Sequence, residues 1–153
     1  MLSRKDGVNV LDLIYQLKAE AEITLPQRAF SGFCLRARKD GKVTVEGPDG
    51  EVKLAAPHHL KPESDWPAQP WYGYQIILPD GGQLGGAVID HPKNPPALWH
   101  NAASIRMINP CVVAPKDVVL RPPDPLVLRY RVVAWDGAIP RELLNSLAKD
   151  WAK

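Results

Sequence analysis

A single stretch of this sequence, GGAVIDHPKNPPALWHN at residues 85–101, places an aspartate, two histidines and a tryptophan around a proline-rich turn. Imidazole titrates near neutral pH, so His91 and His100 could act as general acid and base. Asp90 could orient one of the two rings. Trp99 could offer an apolar platform to the face of a sugar. The residue types therefore predict an acid–base site or a sugar contact.

Two other interpretations fit the same residues. His91, His100 and one carboxylate could hold a divalent metal, although the sequence does not identify a metal or any other cofactor. Alternatively the stretch is structural: Asp90 and Asn94 form side-chain turns, the prolines stiffen the loop, and Trp99 packs in the core. All three interpretations stay open at this point.

Polar residues elsewhere add weaker candidates. Arg129 and Arg131 alternate along one predicted strand and so share a face, where they could clamp a carboxylate or a polyol. Such rows also form ordinary solvated faces. Together with Trp99 and Asn94, these arginines make up the predicted substrate-binding set. The second pair of histidines, at positions 58 and 59, lies among prolines in a separate loop.

Alternation of apolar and polar residues predicts that strands dominate the chain. A long strand is expected over residues 9–20, with its buried face formed by Leu11, Leu13, Tyr15, Leu17 and Ala19. Gly-containing turns at 40–41 and 48–50 predict a hairpin. Further strands are expected in FSGFCLRARK, WYGYQIIL, GAVID, SIRMIN, DVVL and PLVLRYRVVAW.

The C-terminal residues change to a helical period. Residues 140–152 place an apolar stripe on one side, beginning with Pro140 in the first turn, and the stripe comprises Leu143, Leu144, Leu147, Ala148 and Trp151. About nine short strands and one closing helix predict a mostly β protein. We expect one antiparallel β-sandwich domain over residues 1–153.

Composition narrows the class of partner. Nineteen basic and seventeen acidic residues give a formal charge of +2 without charged blocks, which predicts no nucleic-acid or membrane partner. No signal peptide is visible at the start, so a cytoplasmic location is expected. The two cysteines, Cys34 and Cys111, are too few for a disulfide framework and are expected to be buried thiols.

Several motifs together resemble a known bacterial family. Asp90-His91-Pro92, Asn94-Pro95 and Trp99-His100 are followed by NPCVVAP and by PLVLRYRVVAWDG ahead of the helix. This order is similar to that in the PmoA-like proteins, also named "methane oxygenase" proteins. The resemblance covers nearly the whole chain.

The resemblance implies a fold and partners. PmoA-like proteins resemble the large sandwiches of the galactose-mutarotase type, in which a concave face binds sugar, so a sugar-like small molecule is the expected ligand. Members are about twice as long, with an upstream half that this chain lacks, and the histidines at 58 and 59 do not take the place of that half's motif. The expected partner is therefore a second copy in a homodimer or a separate N-terminal half.

Overall fold

A computed structural model describes residues 2–29, 31–53 and 66–153. These residues form thirteen strands and one α-helix, which in chain order are β1 (Leu2–Lys5), β2 (Val8–Leu17), β3 (Ile23–Leu25), β4 (Leu35–Arg36), β5 (Lys42–Gly47), β6 (Gly50–Glu51), β7 (Trp71–Ile77), β8 (Gln83–Asp90), β9 (Leu98–Trp99), β10 (Met107–Ile108), β11 (Pro110–Cys111), β12 (Val118–Leu120), β13 (Leu126–Asp136) and α1 (Arg141–Trp151). A 3-10 helix covers Ala103–Ile105. The mostly β fold with one C-terminal helix is as predicted.

One antiparallel sheet of seven strands organises the chain, in the spatial order β1-β2-β13-β8-β7-β5-β6. Three two-stranded pairs lie outside it: β4 with β10, β9 with β11, and β3 with β12. The predicted hairpin is confirmed as β5 and β6, which pair Gly47 with Gly50. The longest strand in the described ranges, β13, lies between β2 and β8.

Helix α1 covers one face of the sheet, which we call the helix face. Its buried residues Leu144, Leu147 and Ala148 pack against alternate residues of the strands, namely Val8, Val10, Trp71, Ala87, Ile89, Val133 and Trp135. Each fully buried leucine contributes about 1.5–3 kcal/mol. The indole nitrogen of Trp71 donates a 2.8 Å hydrogen bond to Asn145, which holds the helix on the sheet.

The opposite face, which we call the loop face, is covered by the short strand pairs and their connections. Its core includes Tyr72, Tyr74, Ile76, Val88, Leu128 and Tyr130 from the sheet, and Trp66, Trp99, Ile108 and Cys111 from the covering segments. The central strands β7, β8 and β13 therefore bury side chains on both sides. This explains the nearly continuous apolar run of β8.

Three expectations about the N-terminal part of the chain are wrong: the buried side of β2, the length of one strand and the burial of Cys34. The buried residues of β2 are Val8 and Val10 on the helix face, whereas Tyr15 and Leu17 at its far end are 43% and 38% exposed. The predicted strand over residues 30–39 is a two-residue strand, β4. Cys34 is exposed, unlike Cys111.

Strand β1 was missed by sequence reasoning. It forms a hairpin with β2 in which Lys5 is paired with Val8. The two residues between them, Asp6 and Gly7, have φ of 48° and 84°. Positive φ at both central residues is the requirement of a type I′ turn, for which Asp-Gly is a favoured sequence. That dipeptide was the available signal.

The described part of the chain contains no helix with the length and hydrophobicity that a membrane crossing requires.

Two neighbouring glycines of β8 test the packing. A Cβ at Gly85 would overlap the Trp135 ring and the carbonyl oxygen of Tyr74, whereas at Gly86 the nearest atom is 3.6 Å away. We therefore expect Gly85→Ala to lower the free energy of unfolding by about 1–3 kcal/mol, the usual range for an overpacked core. Gly86→Ala is the matched control and should be close to neutral. Equal unfolding midpoints in urea for the two variants would contradict this packing.

Candidate functional site

An aromatic cavity of about 540 Å³ opens on the loop face between β2, β13 and the segment before β4. Its walls include Tyr15, Leu17, Phe33, Cys34, Leu128 and Tyr130. The rings of Phe33 and Tyr130 stack, with centroids 4.7 Å apart and planes 17° apart. The ring centroid of Tyr15 lies 6.2 Å from the centroids of both rings. Three aromatic rings from three separate parts of the chain therefore meet at one opening.

Tyr130 forms the closed end of this cavity and Tyr15 its rim. Tyr130 is 0% exposed and Tyr15 is 43% exposed. The Tyr130 hydroxyl is buried and has no hydrogen-bond partner within the described ranges. Burial raises the pKa of Tyr130, and the nearby Asp90 charge raises it further. The buried hydroxyl therefore stays protonated and neutral.

Asp90 lies directly opposite Tyr130 across the pairing of β8 with β13. Opposite residues of an antiparallel pair point to the same face, so the Asp90 carboxyl is on the loop face with the cavity. Burial raises the pKa of Asp90 to about 6, against the opposing effects of hydrogen bonds from the Asn94 side chain and the His91 backbone. Asp90 therefore changes charge close to neutral pH.

Asn94 fastens the turn after β8 to the central strand. Its Nδ2 donates to Asp90 Oδ1 at 2.6 Å and to the Arg129 carbonyl at 2.7 Å. The backbone N–H of Arg129 in turn donates to Asn94 Oδ1 at 2.8 Å. Three charge-assisted or backbone bonds explain why a buried amide occupies this position. Asn94 therefore positions the Asp90 carboxyl and does not line the cavity.

His91 turns to the helix face, away from Asp90. Its ring makes an edge contact with Trp151 at 5.1 Å, and its Nδ1 accepts a 3.0 Å hydrogen bond from the Lys93 backbone. Burial lowers the pKa of His91, and nearby cations, Arg129 among them, lower it further. His91 is 8% exposed, so its surroundings are those of a packed residue.

Trp99 and His100 lie in the core of the loop face. Trp99 is 1% exposed and makes an edge contact with Tyr72 at 5.0 Å. His100 is fully buried, and its backbone N–H donates to the Asn109 carbonyl at 2.8 Å. The structure therefore gives Trp99 no open ring face. It places His100 in the loop-face core and His91 beside the helix.

Arg131 of the predicted arginine row is also engaged in packing. Arg131 forms a two-point ion pair with Asp12, at 2.6 and 2.9 Å, and its guanidinium lies 4.2 Å over the Trp151 ring. Arg129 precedes it by two residues on the same side of β13, the helix face. Both arginines thus lie on the opposite side of the sheet from the cavity.

Asn109, in the NPCVVAP motif, holds the segment that forms one wall of the cavity. Its Nδ2 donates to the carbonyls of Ser31 and Phe33, at 3.1 and 2.6 Å. Its backbone N–H donates to Asn101 Oδ1 at 2.9 Å. The segment with the Phe33 ring is therefore held in place by an amide more than seventy positions away. The signal in the sequence was a polar residue, Asn109, between apolar ones, but its partner could not be read there.

The described ranges contain no group of three or more His, Cys, Asp or Glu residues that lie close enough together to bind one metal ion. The histidines at 58 and 59 lie outside the described residues.

The raised pKa of Asp90 predicts a pH dependence of stability. Between the ordinary value of 3.8 and about 6, the folded chain keeps a proton that the unfolded chain releases, so this group's contribution to stability falls as pH rises. Asp90→Asn imitates the protonated form. We expect the free energy of unfolding of the natural chain to decline relative to that of Asp90→Asn from pH 4 to about pH 6–7.

Urea unfolding at pH 4, 5, 6 and 7 measures this difference. Asp136→Asn, at the exposed end of β13, controls for the loss of one charge. Parallel curves for the natural chain and Asp90→Asn across the whole range would contradict the assignment.

Comparison with protein families shows that residues 1–149 match "Family of unknown function (DUF6807)". Comparison with curated proteins and with solved structures gave no match. The resemblance to the PmoA-like proteins stays a prediction, because the description of the matched family names no activity.

Proposed function

We propose that this chain, which belongs to the DUF6807 family of unknown function, binds a small sugar-like molecule in the aromatic cavity. The observation that carries the proposal is the joining of three aromatic rings with a buried hydroxyl that lacks a partner in the described part of the chain. The resemblance to sugar-binding sandwiches of the mutarotase type points to the same class of ligand.

The cavity suits a ligand that is apolar on one face and polar at its edge. Its volume lies within the usual ~300–1,000 Å³ of small-molecule sites, which combine apolar walls with a few polar groups. A pyranose presents C–H groups on one face and hydroxyls around its rim. The exposed ring of Tyr15 and the wall residue Phe33 would pack on the C–H face.

Polar recognition would come from the closed end. An unpaired buried hydroxyl costs roughly 1–3 kcal/mol, so a ligand hydroxyl that pairs with Tyr130 would remove a penalty present in the free protein.

Binding is favoured over acid–base catalysis by the positions of the three residues predicted to be catalytic. Asp90 lies on the cavity's face of the sheet, while His91 contacts helix α1 and His100 lies in the loop-face core. A proton relay among them would require side chains that converge on one opening.

A structural role for the motif has its own support. The side chains of Asn94 and Asn109 bond to the backbone of β13 and of the Phe33 segment, respectively. This role and ligand binding are compatible, because the motif then builds the walls and the aromatic residues bind.

Removal of single hydroxyls tests the proposal. Tyr130→Phe keeps the ring and deletes the group assigned to the ligand, so we expect affinity for the best-binding sugar to fall about 5–10-fold, the size of one hydrogen bond. Tyr74→Phe is the matched control: its hydroxyl is also buried without a partner in the described ranges, but Tyr74 does not line the cavity. Calorimetric titration with neutral monosaccharides and disaccharides, galactose and glucose among them, measures both.

Phe33→Ala should weaken binding by a similar factor, because it removes a stacking wall. The proposal is overturned if none of the sugars binds at millimolar concentration, or if Tyr130→Phe and Tyr74→Phe bind the sugar equally well.

A further inference from the structure

The far half of β2 has a neighbouring strand on one side alone. On its inner side β13 pairs with Asn9–Leu17. On its outer side β1 pairs with Val8–Leu11 and ends there. Along residues 12–17 the outer backbone edge therefore meets no strand of the described chain.

The open segment is also the most apolar exposed part of the sheet. Ile14 is 61% exposed, Tyr15 43% and Leu17 38%. Natural sheets protect an open edge with charges, prolines or bulges. Residues 13–17, LIYQL, contain neither a charge nor a proline. Such an edge is suited to pairing with another strand.

We propose that a second copy of this chain pairs antiparallel along this edge, with the two-fold axis at Tyr15. Closed two-fold dimers are the commonest symmetric assembly, and they bury the same patch of both copies. Two copies of this strand would continue the seven-stranded sheet across the axis and cover both open edges at once.

Symmetry restricts the register. Directly opposite residues in an antiparallel pair point to the same face, so the axis must pass through a residue that faces its own copy. An axis at Ile14 would set Leu11 against Leu17, but Leu11 is already paired with Leu2 of β1. With the axis at Tyr15, the pairing between copies begins at Asp12, directly after the last residue paired with β1, and extends along the whole open segment.

The Tyr15 register also matches charge and hydrophobicity. It sets Asp12 opposite the exposed Lys18 and Leu13 opposite Leu17, twice over by symmetry. Opposite charges and apolar pairs in such positions stabilise a sheet. The Asp12 carboxylate is held in place by Arg131 at 2.6 Å, so it presents a fixed anion to the lysine.

One consequence rests on the proposed function. Tyr15 forms the cavity's rim, so the second copy would bring its own Tyr15 to the mouth of the same cavity. The pairing itself does not depend on a ligand and is tested without one.

Light scattering after size exclusion, at high micromolar concentration and without sugar, is the first test. The chain should have twice its 16.9 kDa mass. Tyr15→Lys sets like charges opposite each other and should raise the dimer dissociation constant at least tenfold. Ile77→Lys is the matched control, since Ile77 is also 43% exposed on a strand of the same sheet, and should leave the dimer intact. A monomeric natural chain, or equal dimerisation of both variants, would overturn the proposal.

Cross-linking tests the register and stays decisive if Tyr15→Lys does not fold. In a Cys34→Ser background, which removes the exposed thiol, Tyr15→Cys should form a disulfide dimer under mild oxidation. Opposite Cβ atoms lie about 4.5–5.5 Å apart, and slight adjustment closes that gap. Ile14→Cys, which would face Gln16, should link far more slowly. Faster linking at Ile14, or linking at neither position, would overturn the register. Association only with a separately encoded N-terminal half would likewise overturn it.

Discussion

Backbone pairing of β13 with both of its neighbours is the constraint on which the rest of this fold depends. The strand is paired with β2 from Leu126 to Ala134 and with β8 from Tyr130 to Asp136. Its alternate side chains enter two separate cores, Val133 and Trp135 toward the helix, Leu128 and Tyr130 toward the loops. The register of this one strand therefore places Tyr130 against Asp90 and Arg131 against Asp12, and a slip by one residue would exchange the faces of every side chain.

The alternation of strand side chains also explains the motif. Asp90 and His91 are adjacent at the end of β8, and they point to opposite sides of the sheet. Asp90 joins Tyr130 and Asn94 on the loop face, while His91 joins Trp151 beneath the guanidinium of Arg131. Residues that are adjacent in the sequence motif therefore pack on opposite faces of the sheet. Asn94 bonds to Asp90 and to the Arg129 carbonyl, so the turn after β8 is held against β13.

Much of the architecture could be predicted from sequence because local periodicity carries it. The strands β7, β8 and β13 have apolar runs, as expected of strands that are buried on both faces of a sheet. The helix predicted at 140–152 is found at Arg141–Trp151. The buried side of β2 was predicted wrongly, because an alternating pattern shows that two faces differ without showing which one is covered. Tyr15 and Leu17, which were predicted to be buried, lie at the end of β2 and are partly exposed.

The cavity could not have been predicted in the same way. Tyr15, Phe33 and Tyr130 come from the two ends of the chain, and their meeting depends on the β2–β13 register and on the bonds from Asn109 to Ser31 and Phe33. Neither fact has a local signature. Residue chemistry indicates which side chains could act, but it does not show that His91, Trp99 and His100 are buried.

The most direct test of the account uses the chain's four tyrosines as internal reporters. Tyr15 and Tyr130 line the cavity, whereas Tyr72 and Tyr74 lie in the same core without lining it. In a sample with labelled tyrosine rings, titration with the best-binding sugar should shift the nuclear magnetic resonance signals of Tyr15 and Tyr130 in a saturable way and leave those of Tyr72 and Tyr74 almost unchanged. Saturable shifts at Tyr72 and Tyr74 with none at Tyr15 and Tyr130, or no shift at any of the four, would contradict the claim that this cavity is a binding site.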